Sequence, residues 1–194
     1  MHQPLILASA SARRQELLRE AGIAFEIHPA HISEDLIADE LPLDYALRLA
    51  RDKALAVAPR FPQRWVLGAD TIVVVGGEVL GKPRDREDAA RMLRMLSGCG
   101  HEVITAVGLV SPNMVSPAMD VETRSSTTQV YFRKLEEEEI QQYIAGGEPM
   151  DKAGAYAIQG GAARWTERMD GEYSNVVGLP LSLVTEMLRA NGFM

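Results

Sequence analysis

Runs of apolar residues separated by polar stretches predict strands that are interleaved with helices along this chain. The short apolar run at 5–8 and the longer one at 65–75 are typical of buried strands. Residues 42–58 place Leu, Ala and Val at helical spacing behind a proline that suits a first helical turn. Gly76-Gly77 marks a hairpin before a strand at 78–80, so we predict an α/β fold with a mixed, twisted sheet and flanking helices. The other predicted helices lie at 13–21, 86–96, 136–146 and 180–190, and the other predicted strands at 24–28, 101–111, 118–132, 155–159 and 163–169.

Composition narrows the class of protein. The 194 residues are 46% hydrophobic with a formal net charge of −7, which fits one globular domain over 1–194. A general nucleic-acid binder normally carries a broad basic surface, so we expect no nucleic-acid partner. No apolar run approaches the roughly 20 residues that span a bilayer, and the N-terminus lacks a signal-peptide pattern, so we expect no membrane association. Cys99 is the single cysteine, which fits a reducing compartment and predicts a cytoplasmic location.

The first candidate for chemistry is the turn from the first strand into the first helix. Ser9, Ser11, Arg13 and Arg14 lie there, at a predicted helix N-terminus. Free backbone N–H groups and the helix dipole favour phosphate at such a place, and guanidinium groups match phosphate oxygens. The alternative is an ordinary serine cap followed by two exposed arginines.

Two charged residues interrupt otherwise apolar segments. Lys53 falls on the apolar stripe of the helix at 42–58, so it either extends its ammonium to solvent or meets an anion. Asp70 stands inside the apolar strand at 65–75, where an unpaired carboxylate is costly. It therefore needs a cation, a donor or a metal, or stays protonated, and a purely structural salt bridge is the alternative to function. Gly68 beside it allows another group to approach the backbone closely.

Other motifs carry less information. The stretch from Gly76 to Pro83 nearly spells a P-loop, but proline replaces the hydroxyl residue that would hold Mg²⁺, which leaves Lys82 as part of a basic pair. Gln159 follows a segment of small residues and presents a donor and an acceptor, as a base edge requires. The histidines lack zinc-ligand spacing, and no serine-hydrolase elbow is present.

Taken together, these segments resemble the Maf family of nucleotide pyrophosphatases. Their order and spacing cover the chain from about 5 to 181, and Ala12 is a departure, since the family usually has proline there. The matching pieces are Ser9-x-Ser11-x-Arg13-Arg14, Glu34, Arg48-Leu-Ala-Arg-Asp-Lys53-Ala54, Gly68-Ala-Asp-Thr71, Gly81-Lys-Pro-Arg-Asp85 and Asp151-Lys-Ala-Gly-Ala-Tyr-Ala-Ile-Gln-Gly160.

The resemblance implies an ITPase-like fold with two lobes around a central cleft, and a protein that is often dimeric. It implies hydrolysis of a small-molecule nucleoside triphosphate, dTTP or UTP, to the monophosphate and pyrophosphate. The alternatives are 7-methyl-GTP or another modified nucleotide as substrate, or a nucleotide-binding regulator of cell division without turnover. A divalent cation, Mg²⁺ or Mn²⁺, is the expected cofactor, since such ions prefer oxygen ligands. The implied roles are catalysis for Asp70, Glu34, Lys53 and Lys82, metal binding for Glu34 and Asp70, and substrate binding for Ser9, Arg13, Arg14, Thr71 and Gln159.

Overall fold

The computed structural model describes residues 3–112 and 121–194, and strands and helices are interleaved along them. The strands are β1 (Leu5–Leu7), β2 (Phe25–Ile27), β3 (Val66–Val75), β4 (Glu78–Leu80), β5 (Gly100–Val110), β6 (Val121–Phe132) and β7 (Thr166–Asp170). The helices are α1 (Ala12–Glu20), α2 (Pro42–Val57), α3 (Arg86–Leu96), α4 (Glu137–Ala145), α5 (Tyr173–Val177) and α6 (Leu181–Ala190). None of these helices combines the length and apolar character needed to cross a membrane, within the described residues.

Within the described residues the strands form one sheet of seven, and its mixed character confirms the prediction. Its order is β2-β1-β3-β5-β6-β7, with β4 paired to β3 off this path. β1 pairs in parallel with both β2 and β3, whereas β4 and β7 pair antiparallel with β3 and β6. The hairpin predicted at Gly76-Gly77 is confirmed, and both glycines have positive φ angles, as a tight hairpin turn requires.

The chain forms two compact units. The first comprises Met1–Asp70, Thr105–Ser126 and Gly178–Met194, and the second comprises Thr71–Ile104 and Thr127–Val177. The first unit has an apolar core in which β1 and β3 residues such as Ile6 and Val66 pack with Ala54 and Val57 of α2. The core of the second unit is aromatic. It joins His101, Phe132, Tyr143, Tyr156 and Trp165, whose ring centroids lie 4.7–6.0 Å apart in edge-on contacts.

Within the first unit, helix α2 packs so closely on the sheet that two strand positions admit only glycine. A Cβ at Gly68 of β3 would lie 2.3 Å from the carbonyl oxygen of Ala50, and one at Gly108 of β5 would lie 2.8 Å from the same atom. The backbone approach predicted at Gly68 is therefore confirmed. This close packing of α2 on β3 matters for the site because Lys53 follows Ala50 by about one helical turn and Asp70 follows Gly68 by two strand positions. The two charged residues therefore lie near the point where the helix meets the strand.

Two strand predictions in the second unit were wrong, and one helix there was not predicted. The strand predicted at 155–159 is absent; a 3₁₀ turn at Ala153–Ala155 stands before it, and Gly154 and Ala155 have φ angles of 68° and 58°. Two successive left-handed residues are incompatible with an extended strand. The strand predicted from 163 begins only at Thr166, because Gly161–Trp165 is another 3₁₀ turn. Helix α5 was not predicted. Residues 118–120 of the predicted strand at 118–132 lie outside the described residues, as does Asn113 of the turn that Pro112-Asn113 predicts between the two long strands.

Candidate active site

The centre of the candidate site is an ammonium group held between two carboxylates. Lys53 Nζ lies 2.6 Å from Glu34 Oε1 and 2.6 Å from Asp70 Oδ1, so the two carboxylates lie within twice that distance of each other. We call these three residues the Lys53 cluster. Asp70 and Lys53 have side chains that are only 10% and 12% exposed, whereas the Glu34 side chain is 44% exposed. The cluster therefore has a buried end at Asp70 and an open end at Glu34.

The local sequence explains why these side chains meet. Lys53 lies on the face of α2 that carries Ala46, Ala50 and Ala54, all fully buried, so its stem crosses apolar surface before the ammonium reaches Asp70. Of the two outcomes that the sequence left open for Lys53, contact with an anion is confirmed. For Asp70, the cation that its burial requires is Lys53.

Burial raises the pKa of the Asp70 carboxyl, and the charge of Lys53, its hydrogen bond to Asp70 and the charge of Arg14 oppose that rise. Desolvation is the larger effect, because burial penalises the ionised form more than the neighbouring cations favour it. A carboxylate with a raised pKa is a stronger proton acceptor than an exposed one. Asp70 thus has the environment of a general base.

A second cation, Arg14, is fixed beside the cluster by three hydrogen bonds. Its Nε donates to the carbonyl oxygen of Gly178 at 2.8 Å, and one of its terminal nitrogens donates to Ser9 Oγ at 3.1 Å. Its backbone N–H donates to Ser11 Oγ at 3.4 Å, so Ser11 is the N-cap of α1, as the alternative interpretation of this motif proposed. Arg14 is only partly exposed, and burial lowers its pKa while Asp70 raises it. Arg13 is next to it, also partly exposed, and acts on Arg14 through like-charge repulsion.

The loop that carries Glu34 is tied to helix α2 by two residues to which the sequence analysis assigned no role. The Tyr45 hydroxyl donates to the carbonyl oxygen of Glu34 at 2.7 Å. Arg48 donates to both carboxylate oxygens of Glu40, at 2.6 and 2.7 Å, and to the carbonyl oxygen of Asp35 at 3.1 Å. Burial, followed by the charges of Asp70 and Glu34, raises the pKa of Tyr45, so its hydroxyl keeps its proton as a donor. Neither residue gave a signal in the sequence, because a tyrosine and an arginine on a helix break no apolar pattern.

The remaining candidate residues lie in the second unit. Thr71 is half-buried in β3, Lys82 is exposed after β4, and Gln159 is exposed in the turn that follows the aromatic core residue Tyr156. The first unit thus brings together Ser9, Arg14, Glu34, Lys53 and Asp70, with Arg13 beside Arg14. The convergence of the second-unit residues on the same substrate stays a prediction.

The oxygen atoms of the Lys53 cluster fit a hard divalent cation. Mg²⁺ is usually held by one or two carboxylates together with substrate phosphates and water, and Glu34 and Asp70 supply two carboxylates around one point. No group of three His, Cys, Asp or Glu side chains arranged as metal ligands occurs in 3–112 or 121–194. A cation here would therefore take its other ligands from nucleotide and water.

Comparison with known proteins identifies the family of this chain. The sequence matches the profile of the Maf-like proteins over residues 4–191. The chain belongs to the Maf-like family. Two Maf-like relatives are described as dTTP/UTP pyrophosphatases. That of Geobacter metallireducens is 53% identical over 97% of this chain and 96% of its own length, and that of Koribacter versatilis is 55% identical over 98% and 95%.

A solved structure shows the same fold at low sequence identity. The Ham1 protein of Staphylococcus aureus superposes with a TM-score of 0.51 at 12% identity, over 97% of this chain and 99% of that one. The mixed α/β architecture predicted for a Maf-like chain is thus found in a distant protein, and at this identity the likeness concerns the fold alone.

Proposed function

We propose that this protein hydrolyses dTTP and UTP to the nucleoside monophosphate and pyrophosphate. The observation that carries the proposal is the buried Asp70 carboxylate held by Lys53 and neighboured by Arg14, because it combines a proton acceptor with cations suited to phosphate. The names of relatives that are 53–55% identical over nearly the whole chain support the choice of substrate.

The chemistry is attack of water on the α-phosphorus. Asp70 Oδ1 is engaged by Lys53, so we assign the other oxygen, Oδ2, to the attacking water, whose proton it accepts. The bond from the water oxygen to the α-phosphorus forms while the bond from that phosphorus to the bridging oxygen of the β-phosphate breaks. Pyrophosphate leaves with the bond electrons, and no covalent enzyme intermediate is involved.

The cations have separate tasks in this proposal. Arg14 is pre-oriented by Ser9 and Gly178, so a phosphate oxygen meets a guanidinium whose direction is already fixed. Lys53 favours the ionised form of Asp70 and holds the carboxylate in place before substrate binds. Glu34 and Asp70 would hold a divalent cation, Mg²⁺ or Mn²⁺, which supplies Lewis-acid polarisation of the phosphate when bound. Phosphate binding by Ser9, Arg13 and Lys82 and base recognition by Thr71 and Gln159 belong to the same proposal.

The decisive experiment compares hydrolysis of dTTP, UTP, CTP, GTP and 7-methyl-GTP with Mg²⁺ or Mn²⁺, by detecting pyrophosphate. We expect dTTP and UTP to be preferred, and Asp70→Asn to lower kcat about 10²- to 10⁴-fold, since that is the usual contribution of a general base. Asp44→Asn is the matched control, because Asp44 is an exposed aspartate of α2 in the same unit. Preference for 7-methyl-GTP, or binding without turnover of any nucleotide, would contradict the proposal.

We also propose a cytoplasmic location and a homodimer. The single cysteine, Cys99, supports a reducing compartment. Sedimentation of the purified protein over a range of concentrations tests the dimer, and fractionation of cells tests the location.

A further inference from the structure

The second unit contains a carboxylate with several partners that the proposed mechanism does not use. Glu148 follows α4, and its Oε1 accepts a hydrogen bond from the Tyr143 hydroxyl at 2.8 Å. The same carboxylate accepts from the backbone N–H of Gly161, at 3.2 Å to Oε1 and 3.3 Å to Oε2. A Cβ at Gly160 would lie 1.9 Å from Oε1, so glycine is what lets the carboxylate approach the chain here. Glu148 therefore joins the Tyr143 side chain to the backbone at Gly161.

Tyr143 extends this contact to a second point of the chain. Its hydroxyl, which donates to Glu148, also accepts a hydrogen bond from the backbone N–H of Ala157 at 3.0 Å. The ring is 7% exposed and stands edge-on to Trp165 at 4.7 Å, so the hydroxyl has a fixed position. Ala157 and Gly161 are thus held through one connected pair of side chains, which we call the Glu148–Tyr143 clasp.

The two backbone positions held by the clasp flank Gln159 symmetrically. Ala157 lies two residues before Gln159 and Gly161 two residues after it. Between them, the N–H of Gly160 donates to the carbonyl oxygen of Ala157 at 3.0 Å, which closes a tight turn with Gln159 inside it. Because the Gln159 side chain is exposed, its direction depends on the turn that carries it. The clasp fixes the backbone and leaves the amide group of Gln159 to face outwards.

We propose that Glu148 and Tyr143 are positioning residues that set substrate selectivity by orienting Gln159. This inference rests on the proposed function, in which Gln159 recognises the pyrimidine edge. An amide that pairs with a base edge must present its donor and acceptor in one plane, and small displacements of a recognition group cost rate steeply. The Glu148–Tyr143 clasp favours one orientation of the Gln159 amide, because it restrains the backbone on both sides of Gln159.

The test uses three variants that open the clasp in different ways. Tyr143→Phe removes the hydroxyl that joins Ala157 to Glu148. Glu148→Ala removes the carboxylate. Gly160→Ala displaces the same carboxylate from outside, because the clash is with the end of a flexible side chain. Glu148→Gln is the conservative variant, since its amide oxygen can still accept from Tyr143 and Gly161. Glu138→Gln on the exposed face of α4 controls for loss of charge.

The kinetic readout is the ratio of kcat/KM for UTP to that for CTP. We expect Tyr143→Phe, Glu148→Ala and Gly160→Ala to lower this ratio about tenfold, mostly through KM for UTP, because misplacing a positioned group by about 1 Å can cost up to about 10²-fold. Glu148→Gln should recover most of the ratio, and Glu138→Gln should equal the parent. A fall in activity that is equal for UTP and CTP would mean that the clasp serves only stability and would overturn the inference.

Hydrogen exchange of the amides at 157 and 161 gives a readout that does not need turnover. Both amides should exchange at least about tenfold faster in Tyr143→Phe and Glu148→Ala, because each loses its acceptor or the support of that acceptor. Unchanged exchange rates at both amides would mean that Glu148 and Tyr143 do not hold the backbone at Ala157 and Gly161. If the parent hydrolyses no nucleotide while exchange changes as expected, the proposed function fails and the structural clasp stands, so the two failures are distinguishable.

Discussion

The buried histidine of the second unit should make the protein lose stability in mild acid. His101 is 2% exposed, and burial lowers its pKa from the ordinary value of 6.5 to about 4. Its Nε2 lies 2.9 Å from the Tyr156 hydroxyl, whereas its Nδ1 has no partner among the described residues. A neutral ring that carries its proton on Nε2 leaves only an unused lone pair at Nδ1, but a protonated ring would leave a buried N–H without an acceptor. The folded state therefore excludes the second proton.

The sign and size of the effect follow from the two pKa values. Between pH 6.5 and about 4 the unfolded chain binds a proton at His101 that the folded chain does not, so stability falls as the pH falls. With those values, His101 alone costs about 1 kcal/mol at pH 5.5 and about 2–3 kcal/mol at pH 4.5 relative to pH 8. Such a loss is a large share of the stability of a typical domain.

The perturbation that isolates this effect is His101→Gln, which keeps a polar side chain near Tyr156 and has no charge at any pH in the range. Urea unfolding is followed from pH 7.5 to 4.5 by the fluorescence of Trp165, in a Trp65→Phe background that removes the second tryptophan. Trp165 reports on the right unit because its ring stands 6.0 Å from that of Phe132, which contacts His101 at 4.9 Å.

The measured quantity is the difference in unfolding free energy between the parent and His101→Gln at each pH. Any fixed cost of the substitution is constant, so only the titration of His101 changes the difference, which should move by about 2–3 kcal/mol in favour of the variant at pH 4.5. Ile140→Val is the control: Ile140 is buried in the second unit, so the loss of a methylene there lowers stability without removing a titrating group, and its profile should run parallel to that of the parent. A parallel profile for His101→Gln as well would refute the reasoning.

Three further substitutions test the packing and capping described above. Gly68→Ala should cost about 1–3 kcal/mol of unfolding free energy, because its Cβ meets the backbone of α2 at 2.3 Å, whereas Gly81→Ala meets nothing within 4 Å and should cost much less. Asp85→Ala should cost about 1 kcal/mol, since the Asp85 side chain accepts the N–H of Asp88 at 2.8 Å to cap α3, and Asp85→Asn should retain the cap. Tyr45→Phe should cost about 0.5–1.5 kcal/mol and lower kcat/KM, because Glu34 loses the hydrogen bond that fixes its backbone, and nucleotide hydrolysis together with urea unfolding measures both.

The elements that the sequence predicted well are those with strong periodicity or clear end signals. Helix α2 carries its apolar stripe and opening proline in the sequence, and the structure has it at Pro42–Val57. The segment 155–159 shows the limit of such patterns. Its apolar residues resemble a short strand, but they are buried in turns whose shape depends on the left-handed Gly154 and Ala155 and on contacts with Glu148 and Tyr143. Those contacts come from residues that no local pattern connects to the segment.

The candidate site likewise contains residues that the sequence predicted and residues whose part only the fold shows. Asp70 and Lys53 were found because each breaks an apolar pattern, and a buried charge must have a partner. Tyr45 and Arg48 were not assigned roles, because a tyrosine and an arginine on a helix break no pattern; their part in holding Glu34 depends on how the loop at 34–40 folds back on α2. A charged residue in an apolar segment can be recognised from the sequence, whereas the residues that hold such a group in position can be recognised only from the fold.

The charge balance of the first unit explains how an acidic protein can receive a polyanion. Glu34 and Asp70 are two acids, and Lys53 and Arg14 are two bases, so the formal charges of these four residues cancel although the whole chain has a net charge of −7. A neutral centre does not repel a triphosphate, and Arg13, next to Arg14, adds one positive charge near it. Because Lys53 already contacts one oxygen of each carboxylate, a divalent cation that arrives with the nucleotide would share these carboxylates with the ammonium group. Nucleotide affinity should therefore depend on the cation concentration more steeply than the stability of the free protein does.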